Sequence, residues 1–237
     1  MSDFILDNLS VVIPTKNDHF QINKNLEKIV YYLKKNINNY EVIIVSNGSS
    51  RESVQNINKL IESKKGIFQK VINSSGKGLA VKNGIRLSNF TNVLLIDSDC
   101  SVKIDEIEKF VKNKKLISGL VIGNRRSKHS LNVNSPMVRK LFSFMYNKLL
   151  YILFRFKYED TQCGFKVIDK DIFNNSCDFV SNGFSYDLEL ILLAEKNGIK
   201  VEEIPVNYVH NKLSSVRLLK DSLKMFLEAI KIYQYYK

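Results

Sequence analysis

Two aspartates end a short apolar segment in the middle of the chain. Asp97 and Asp99 follow the run VLLI at 93–96, whose composition predicts a buried strand. Carboxylates at such a place need partners, because a low dielectric penalises an unpaired charge. Two carboxylates at this spacing suit Mg²⁺ or Mn²⁺ bound together with phosphate oxygens, which indicates a metal–diphosphate site. The structural alternative is that Asp99 caps a predicted helix over Lys103–Lys112.

The glycine-rich turn at 75–78 (SGKG) is the second feature with chemical meaning. Glycines permit close approach of the backbone, and the N-terminus of a following helix favours an anion. The turn is not a Walker A loop, because Val71 stands at the leading glycine and Gly78 at the Ser/Thr position. It also lacks the dinucleotide fingerprint, since Val81 replaces the third glycine. The main support for a kinase or a Rossmann dinucleotide enzyme is therefore missing.

Polar residues also follow the first two predicted strands. The first strand runs into PTKND at 14–18 and the second into SNGSS at 46–50. In open α/β sheets the ligand lies outside the carboxyl ends of the strands, so these segments and Asp97 should line one edge. Each segment taken alone is also a good turn and N-cap sequence.

The elements that position these residues follow an α/β pattern, with short β-branched runs alternating with amphipathic stretches around a mostly parallel sheet. Predicted strands are Leu9–Pro14, Glu41–Ser46, Phe68–Asn73, Asn92–Asp97, Leu120–Asn124 and Lys200–Tyr208. Predicted helices are Gln21–Lys35, Ser53–Ser63, Lys77–Leu87, Met137–Phe156, Tyr186–Asn197 and a terminal helix from Val216. No Gly/Pro/Ser linker or internal repeat divides the chain, so we expect a single domain over 1–237.

Composition limits the classes of function. The 237 residues carry 36 Lys+Arg against 24 Asp+Glu, a net charge of +12, and 44% are hydrophobic, which excludes a disordered chain. The charge favours an anionic partner, but no zinc, RRM or helix-turn-helix signature supports nucleic acid. The three cysteines and three histidines show no metal-ligand spacing. With no signal peptide and no membrane-spanning run, we expect a cytoplasmic protein.

Eight segments occur in the order and at roughly the spacing seen in family-two glycosyltransferases. They are VVIPTKND, EVIIVSNGSS, GKGLAVKNGI, VLLIDSDCS, GNRR, DTQCGFKV, FSYDLELILLAEKNG and VEEIPVNYV, between about Leu9 and Lys224. The set most resembles the polyprenyl-phosphate branch, typified by dolichyl-phosphate glucosyl- and mannosyltransferases. The resemblance implies a GT-A (Rossmann-like) fold, a nucleotide-sugar donor, Mg²⁺ or Mn²⁺, and inversion at the anomeric carbon. It divides the domain into a nucleotide-sugar-binding half, about 1–124, and an acceptor-binding half, about 125–237.

The resemblance also implies roles for individual residues. Asp97 and Asp99 would hold the metal. The nucleotide would contact Pro14, Thr15, Asn17, Asp18, Ser46, Asn47, Lys77, Gly78 and Asp97. Residues with a catalytic role would be Asp99, Asp160, Gln162 and Glu189. The family usually has acidic residues at Ser46 and Asn47, yet an Asn amide still pairs with uracil, so a UDP-sugar remains the favoured donor over GDP.

Two kinds of acceptor remain open. A lipid phosphate is already anionic and needs cations rather than a base, and Arg125 and Arg139 would supply them, with Lys212 or Arg217 replacing a family lysine. A sugar hydroxyl, as in surface-polysaccharide synthesis, would need Asp160 or Glu189 as general base. A catalytically silent nucleotide-sugar-binding protein is a further alternative, against which the retained aspartate pair argues.

Two segments combine apolar and basic residues, Met137–Phe156 and Val216–Lys237. Such C-terminal amphipathic helices would lie in a bilayer interface with their cations toward lipid headgroups, as a peripheral contact on the cytoplasmic face of a membrane. The alternative is that both stripes pack in the core or in a homodimer.

Overall fold

The computed structural model describes residues 4–133, 137–173, 180–210 and 218–237. The strands are β1 (Leu6–Thr15), β2 (Ile37–Asn47), β3 (Ile67–Ile72), β4 (Asn92–Leu95), β5 (Val111–Lys112), β6 (Lys115–Leu116), β7 (Leu120–Asn124), β8 (Asn132–Val133), β9 (Lys166–Asp169), β10 (Val201–Pro205) and β11 (Tyr208–Val209). The helices are α1 (His19–Asn36), α2 (Arg51–Ile61), α3 (Lys77–Leu87), α4 (Met137–Phe154), α5 (Lys170–Phe173), α6 (Tyr186–Lys196) and α7 (Leu218–Tyr236), with a 3₁₀ helix at Ile104–Phe110.

Seven strands form the central sheet in the order β10-β7-β9-β4-β1-β2-β3. The pairs β1–β2, β1–β4, β2–β3 and β7–β10 are parallel, whereas β9 runs antiparallel to both β4 and β7. The prediction of an α/β fold with a mostly parallel sheet is confirmed. Strands β1, β2 and β4 read as nearly continuous apolar runs because helices cover both faces of such a sheet.

Helices α1 to α3 follow the predicted amphipathic pattern. On α1 the side chains of Ile22, Leu26, Ile29 and Leu33 recur at helical spacing and are all buried. The bounds of α3 and β7 are those expected from the sequence, and the other long elements differ by a few residues at their ends. Because β1, β2 and β4 run parallel, their carboxyl ends meet at one edge of the sheet, as expected.

Three local predictions were wrong. The region expected as a helix over Lys103–Lys112 is a shorter 3₁₀ helix followed by the β5–β6 hairpin. The strand expected over Lys200–Tyr208 ends at Pro205, and Tyr208 belongs to a separate two-stranded sheet. Strand β9, in which the charged Lys166 precedes an apolar pair, was not predicted.

Helices α4 and α7 pack against each other through aromatic rings. Tyr146 meets Phe226 edge-on with ring centres 5.5 Å apart, and Phe154 meets Tyr233 at 5.6 Å. Large apolar side chains remain exposed on the two helices: Met137, Val138, Leu141, Phe144, Met145, Tyr151, Ile152, Leu223, Leu227, Ile230 and Tyr235. None of the helices in the described ranges is long and apolar enough to cross a membrane.

Candidate active site

A lysine–aspartate pair lies where β4 ends and α3 begins. Lys77 Nζ lies 2.6 Å from Asp97 Oδ1. Burial acts to raise the pKa of Asp97, but Lys77 and Lys166 more than offset it and hold that pKa below its usual value. Burial likewise acts to lower the pKa of Lys77, and the neighbouring Asp97 and Asp187 raise it. Both groups are therefore charged at neutral pH.

Asp97 also lies directly against the loop between α4 and β9. A Cβ placed on Gly164 would fall inside contact distance of the Asp97 carboxylate, 2.7 Å from Oδ1. Gly164 belongs to the DTQCGFK segment, so this close approach brings two of the sequence motifs together. Only a glycine leaves room for the carboxylate in this arrangement.

Asp18 and Asp99 flank Asp97 at the same edge. Asp18 accepts a hydrogen bond from Ser98 Oγ at 3.3 Å, and Asp99 accepts from the Ser101 N–H at 3.0 Å and from Ser101 Oγ at 2.7 Å. Asp99 thus organises the turn after β4 rather than capping the helical turn at 104–110. Burial raises the pKa of Asp18, and Asp99 and Asp97 add to the shift. Negative charge is therefore concentrated near Asp18, and Lys77 offsets part of it at Asp97.

Within the ranges that the structure describes, no three His, Cys, Asp or Glu side chains are grouped so as to hold a metal ion. A divalent cation at this edge would therefore need ligands from a bound diphosphate. Mg²⁺ and Mn²⁺ accept that arrangement, one or two carboxylates being completed by phosphate and water oxygens.

Asn47 connects three segments at the edge of the sheet. Its Nδ2 donates to the Thr15 carbonyl at 2.9 Å, and its Oδ1 accepts the Gly76 N–H at 2.9 Å. The side chain is buried, so these bonds fix the end of β1 relative to the glycine turn. One N–H and one lone pair of the amide are left for a ligand.

The glycine turn is shaped by a distant segment of the chain. The Gly78 N–H donates to the carbonyls of Asn182 and Gly183 at 3.0 and 3.1 Å. A Cβ on Gly78 would lie 2.7 Å from both the Ser181 carbonyl and Cβ of Tyr186. The first free N–H groups of α3 are thus partly used within the protein, and the charge of Lys77 is the main attraction that the turn offers to an anion.

Arg125 and Asp160 form a two-point ion pair. The guanidinium donates from Nε to Oδ2 at 2.7 Å and from Nη2 to Oδ1 at 2.8 Å, and the Arg125 backbone N–H donates to Oδ2 at 2.9 Å. The guanidinium also lies 5.2 Å from the centre of the Tyr208 ring. Burial acts to raise the pKa of Asp160, but Arg125 dominates and holds it below its usual value. Glu203 fixes the same loop by accepting the backbone N–H groups of Glu159 and Asp160 at 3.0 and 2.8 Å.

Comparison with known sequences identifies the family to which this site belongs. The sequence model described as Glycosyl transferase family 2 matches residues 10–176. The chain belongs to this family. That span contains the aspartate pair, the glycine turn and the Arg125–Asp160 pair.

Curated members of the family are similar over most of the chain. Dolichyl-phosphate beta-glucosyltransferase ALG5D of Trichomonas vaginalis is 27% identical, over 97% of this chain and 74% of that protein. The dolichyl-phosphate beta-glucosyltransferases of Saccharomyces cerevisiae and Dictyostelium discoideum are 27% and 28% identical, over 92% and 94% of this chain and 71% and 73% of those proteins.

Solved glycosyltransferase structures share the fold. Glucosyl-3-phosphoglycerate synthase from Mycobacterium tuberculosis, solved with UDP, superposes with a TM-score of 0.70 at 16% identity, covering 97% of this chain and 79% of that one. Mannosyl-3-phosphoglycerate synthase from Rubrobacter xylanophilus gives 0.67 at 16% identity, covering 97% and 73%. The GT-A fold expected from the sequence is confirmed.

In this family-two glycosyltransferase the remaining predicted nucleotide residues lie on or next to β1 and β2. Pro14, Thr15 and Ser46 are buried at the strand ends. Ser46 Oγ accepts from Gln69 Nε2 at 2.6 Å, whereas Thr15 Oγ1 is buried and has no hydrogen-bond partner among the residues that the structure describes. Asn17 has a left-handed backbone (φ 58°) and its Oδ1 accepts the Ser50 N–H at 2.7 Å. Thr15 is therefore a candidate for a hydrogen bond to a ligand.

Gln162 and Glu189, two of the predicted catalytic residues, differ in how many hydrogen bonds they form within the protein. Gln162 Nε2 is buried without a hydrogen-bond partner, next to Thr161 Oγ1, which is also unpartnered. Glu189, by contrast, is fully buried, and its carboxylate accepts the N–H groups of Val180 and Ser181 at 2.7 and 2.8 Å and the Tyr236 hydroxyl at 2.6 Å. The Glu189 carboxylate thus serves the local structure, whereas the Gln162 amide nitrogen is left without a partner in the described part of the chain.

A second buried ion pair was not anticipated from the sequence. Lys166 Nζ lies 2.6 Å from Asp187 Oδ1 and also donates to the Cys163 carbonyl. Both side chains are almost completely buried. The signal was present in the sequence, because a lysine within the apolar run FKVI requires a buried carboxylate, but its partner lies 21 residues away.

The predicted acceptor-phosphate residues are only partly covered by the structure. Arg125 is described above, and Arg139 lies on α4. Lys212 and Arg217 lie outside the described residues.

Proposed function

We propose that this glycosyltransferase moves a sugar, with inversion, from a nucleotide sugar to a polyprenyl or dolichyl phosphate. A UDP-sugar is the favoured donor. The observation that carries the proposal is the edge of the sheet at which Asp18, Asp97 and Asp99 gather beside Lys77, in a chain similar over most of its length to dolichyl-phosphate beta-glucosyltransferases.

The donor site would use both the positive and the negative side chains at this edge. Lys77 and the carboxylates would orient the diphosphate and its counter-ion, and Asn47 and Thr15 would offer the remaining polar contacts to the nucleoside. The Mycobacterium tuberculosis synthase, which shares the fold, was solved with UDP and also with Mn²⁺ and UDP-glucose.

The carboxylates fit a hard divalent cation. Asp99 accepts two hydrogen bonds from Ser101, which leaves lone pairs on its carboxylate, and Asp99 and Asp97 lie near enough to Asp18 to raise its pKa. Mg²⁺ or Mn²⁺ bound there would neutralise the charge that develops on the departing diphosphate. We propose Asp97 and Asp99 as its ligands.

Two carboxylates that would act as a base for a hydroxyl acceptor are already used within the protein. Asp160 is paired with Arg125 and has a lowered pKa, which makes it a weak proton acceptor. Glu189 is surrounded by three hydrogen-bond donors. An acceptor phosphate needs no base, so this arrangement favours a lipid phosphate over a sugar hydroxyl. Arg125, whose Nη1 takes no part in the two bonds to Asp160, is a proposed phosphate contact together with Arg139, Lys212 and Arg217.

A lipid acceptor requires access to a membrane surface. The exposed apolar side chains of α4 and α7, together with basic residues such as Lys148, Lys231 and Lys237, suit a bilayer interface with anionic headgroups. We therefore propose peripheral contact with the cytoplasmic face of a membrane. A homodimer that buries the same side chains is the alternative.

The experiment that tests the function is transfer of radiolabelled sugar. Purified protein is incubated with Mn²⁺, a labelled UDP-sugar and either a short polyprenyl phosphate or a free glycan, with Asp99→Asn as the inactive control. We expect labelled lipid with the wild type alone. Product formed only with the glycan would overturn the lipid acceptor, and absence of product with every nucleotide sugar would favour a catalytically silent binding protein.

A further inference from the structure

The last turn of α7 is bonded to a buried carboxylate on α6. The Tyr236 hydroxyl donates to Glu189 Oε1 at 2.6 Å. Tyr236 is itself held in place, because Lys196 Nζ donates to its carbonyl at 2.7 Å and lies 4.7 Å from the centre of its ring. This contact joins the last turn of α7 to α6.

The same carboxylate fixes the segment 180–183. Glu189 Oε1 accepts the Val180 N–H at 2.7 Å and Oε2 accepts the Ser181 N–H at 2.8 Å. Tyr236 and Val180 therefore share one oxygen, and the hydroxyl helps to hold that oxygen in position for the backbone. Without it, Glu189 Oε1 would keep a single donor.

The segment 180–183 in turn shapes the glycine turn. The Gly78 N–H donates to the carbonyls of Asn182 and Gly183, and no room exists for a side chain at Gly78. From there the connection reaches the acidic edge, since the neighbouring Lys77 pairs with Asp97 at 2.6 Å. Each link is either a contact between named atoms or a step of one or two residues along the backbone.

Helix α7 touches the segment at a second point. A Cβ on Gly183 would lie 3.0 Å from Glu228 Oε1, so the α7 glutamate lies directly over this glycine. Glu228 and Tyr236 are on the same helix: Glu228 lies against Gly183 itself, and Tyr236 reaches the segment through Glu189. The helix therefore braces the segment at two places rather than one.

We propose that Tyr236 is a positioning residue for the donor site: its hydroxyl, through Glu189 and the segment 180–183, sets the glycine turn that presents Lys77 to Asp97. The proposal rests on the donor site described under the proposed function. It makes the C-terminal helix part of the donor-binding apparatus, although Tyr236 is remote in sequence from every nucleotide motif.

The test compares wild type, Tyr236→Phe and Tyr235→Phe. Tyr235 is the matched control, because it is the adjacent tyrosine on the same helix and its side chain is largely exposed. Amide hydrogen exchange is measured by mass spectrometry for peptides covering 76–83 and 180–185, with a β1 peptide as the check on global folding. UDP affinity with Mn²⁺ is measured by calorimetry, and KM and kcat for the donor are measured in the transfer assay.

In Tyr236→Phe we expect exchange in both peptides to rise by about three- to tenfold and the UDP dissociation constant to rise by a similar factor, since the hydrogen bond to Glu189 is lost. Donor KM should rise with kcat nearly unchanged, and the β1 peptide and Tyr235→Phe should match wild type. Faster exchange confined to α7, with 76–83 unchanged, would overturn the proposal. If wild type binds no UDP, the donor assignment is wrong, and the exchange data still decide whether Tyr236 positions the turn.

Discussion

The guanidinium of Arg125 holds the carboxylate of Asp160 at two points, with Nε–Oδ2 at 2.7 Å and Nη2–Oδ1 at 2.8 Å. By resemblance to the family, these residues were expected to have separate tasks, Arg125 toward an acceptor phosphate and Asp160 in catalysis. The structure joins them in a single buried unit, in which the aspartate side chain is 1% exposed and the arginine 17%. Substituting either residue therefore changes the surroundings of both.

The first prediction concerns the stability that this pair provides. Asp160→Asn should lower the free energy of unfolding by about 3 kcal/mol, because it leaves a largely buried guanidinium without its counter-charge. Arg125→Lys should also destabilise, since an ammonium cannot reproduce the two-point contact. Urea unfolding at neutral pH measures both. Arg126→Lys is the control, and an equal loss in that variant would show that the effect is not specific to the pair.

The second prediction is the pH dependence of the same contribution. Arg125 lowers the pKa of Asp160 in the folded protein relative to the usual 3.8, so the folded state favours the ionised form. The stabilisation is therefore fully present above pH 3.8 and is lost as the pH falls through the lower, folded-state pKa. The difference in unfolding free energy between wild type and Asp160→Asn should be constant from pH 7 to 5 and shrink below about pH 4. A difference that grows on acidification would contradict this sign.

The third prediction concerns the metal. Asp99→Asn should remove most of the Mn²⁺-dependent part of UDP affinity, because it removes an anionic ligand while keeping the side-chain shape and an acceptor for Ser101. Calorimetric titration with UDP, with and without Mn²⁺, measures the effect. Asp105→Asn, at an exposed aspartate on the 3₁₀ helix, is the matched control. An unchanged titration in Asp99→Asn would show that the cation binds elsewhere.

The fourth prediction uses the close approach of Gly164 to Asp97. Gly164→Ala should displace the Asp97 carboxylate from Lys77, weaken UDP binding and cost about 1–3 kcal/mol of stability through the steric conflict. In an Asp97→Ala background the same substitution should cost much less, because the conflicting atoms are gone. A double-mutant cycle in urea measures this coupling, and additive costs would mean that the two residues do not interact.

The fifth prediction concerns the exposed apolar side chains of α4 and α7. The double variant Phe144→Ser, Leu227→Ser should lower binding to anionic liposomes by about tenfold, since each side chain would bury apolar area in the interface. Raising the salt concentration should also weaken wild-type binding, because salt screens the attraction between the lipid headgroups and the basic residues. That attraction is about 1 kcal/mol for each basic residue near the membrane surface. Phe20→Ser, at a 76% exposed aromatic on α1, is the control in the sedimentation assay. If the wild-type protein stays in the supernatant at low salt, the exposed apolar side chains of α4 and α7 are assigned to self-association instead.

Much of the α/β framework was evident in the sequence, because it depends on local patterns. Apolar periodicity predicted β1, β2, β4, β7 and the first three helices, and the positions of polar residues after strands predicted which side chains would share an edge. These inferences succeed because the alternation of strand and helix fixes the direction of parallel strands, and direction fixes where their carboxyl ends lie.

Only the tertiary structure decided which partner each charged group of the site contacts. Arg125 and Asp160 are 35 residues apart, and Tyr236 and Glu189 are 47 apart, so no local pattern relates them. The antiparallel insertion of β9 between β4 and β7 was equally hidden, because its buried Lys166 becomes tolerable only when α6 supplies Asp187. Sequence alone therefore determined which residue types reach the edge of the sheet. Packing determined which of them remain available to a ligand, because the partner that satisfies a buried charge is chosen by three-dimensional proximity and not by spacing along the chain.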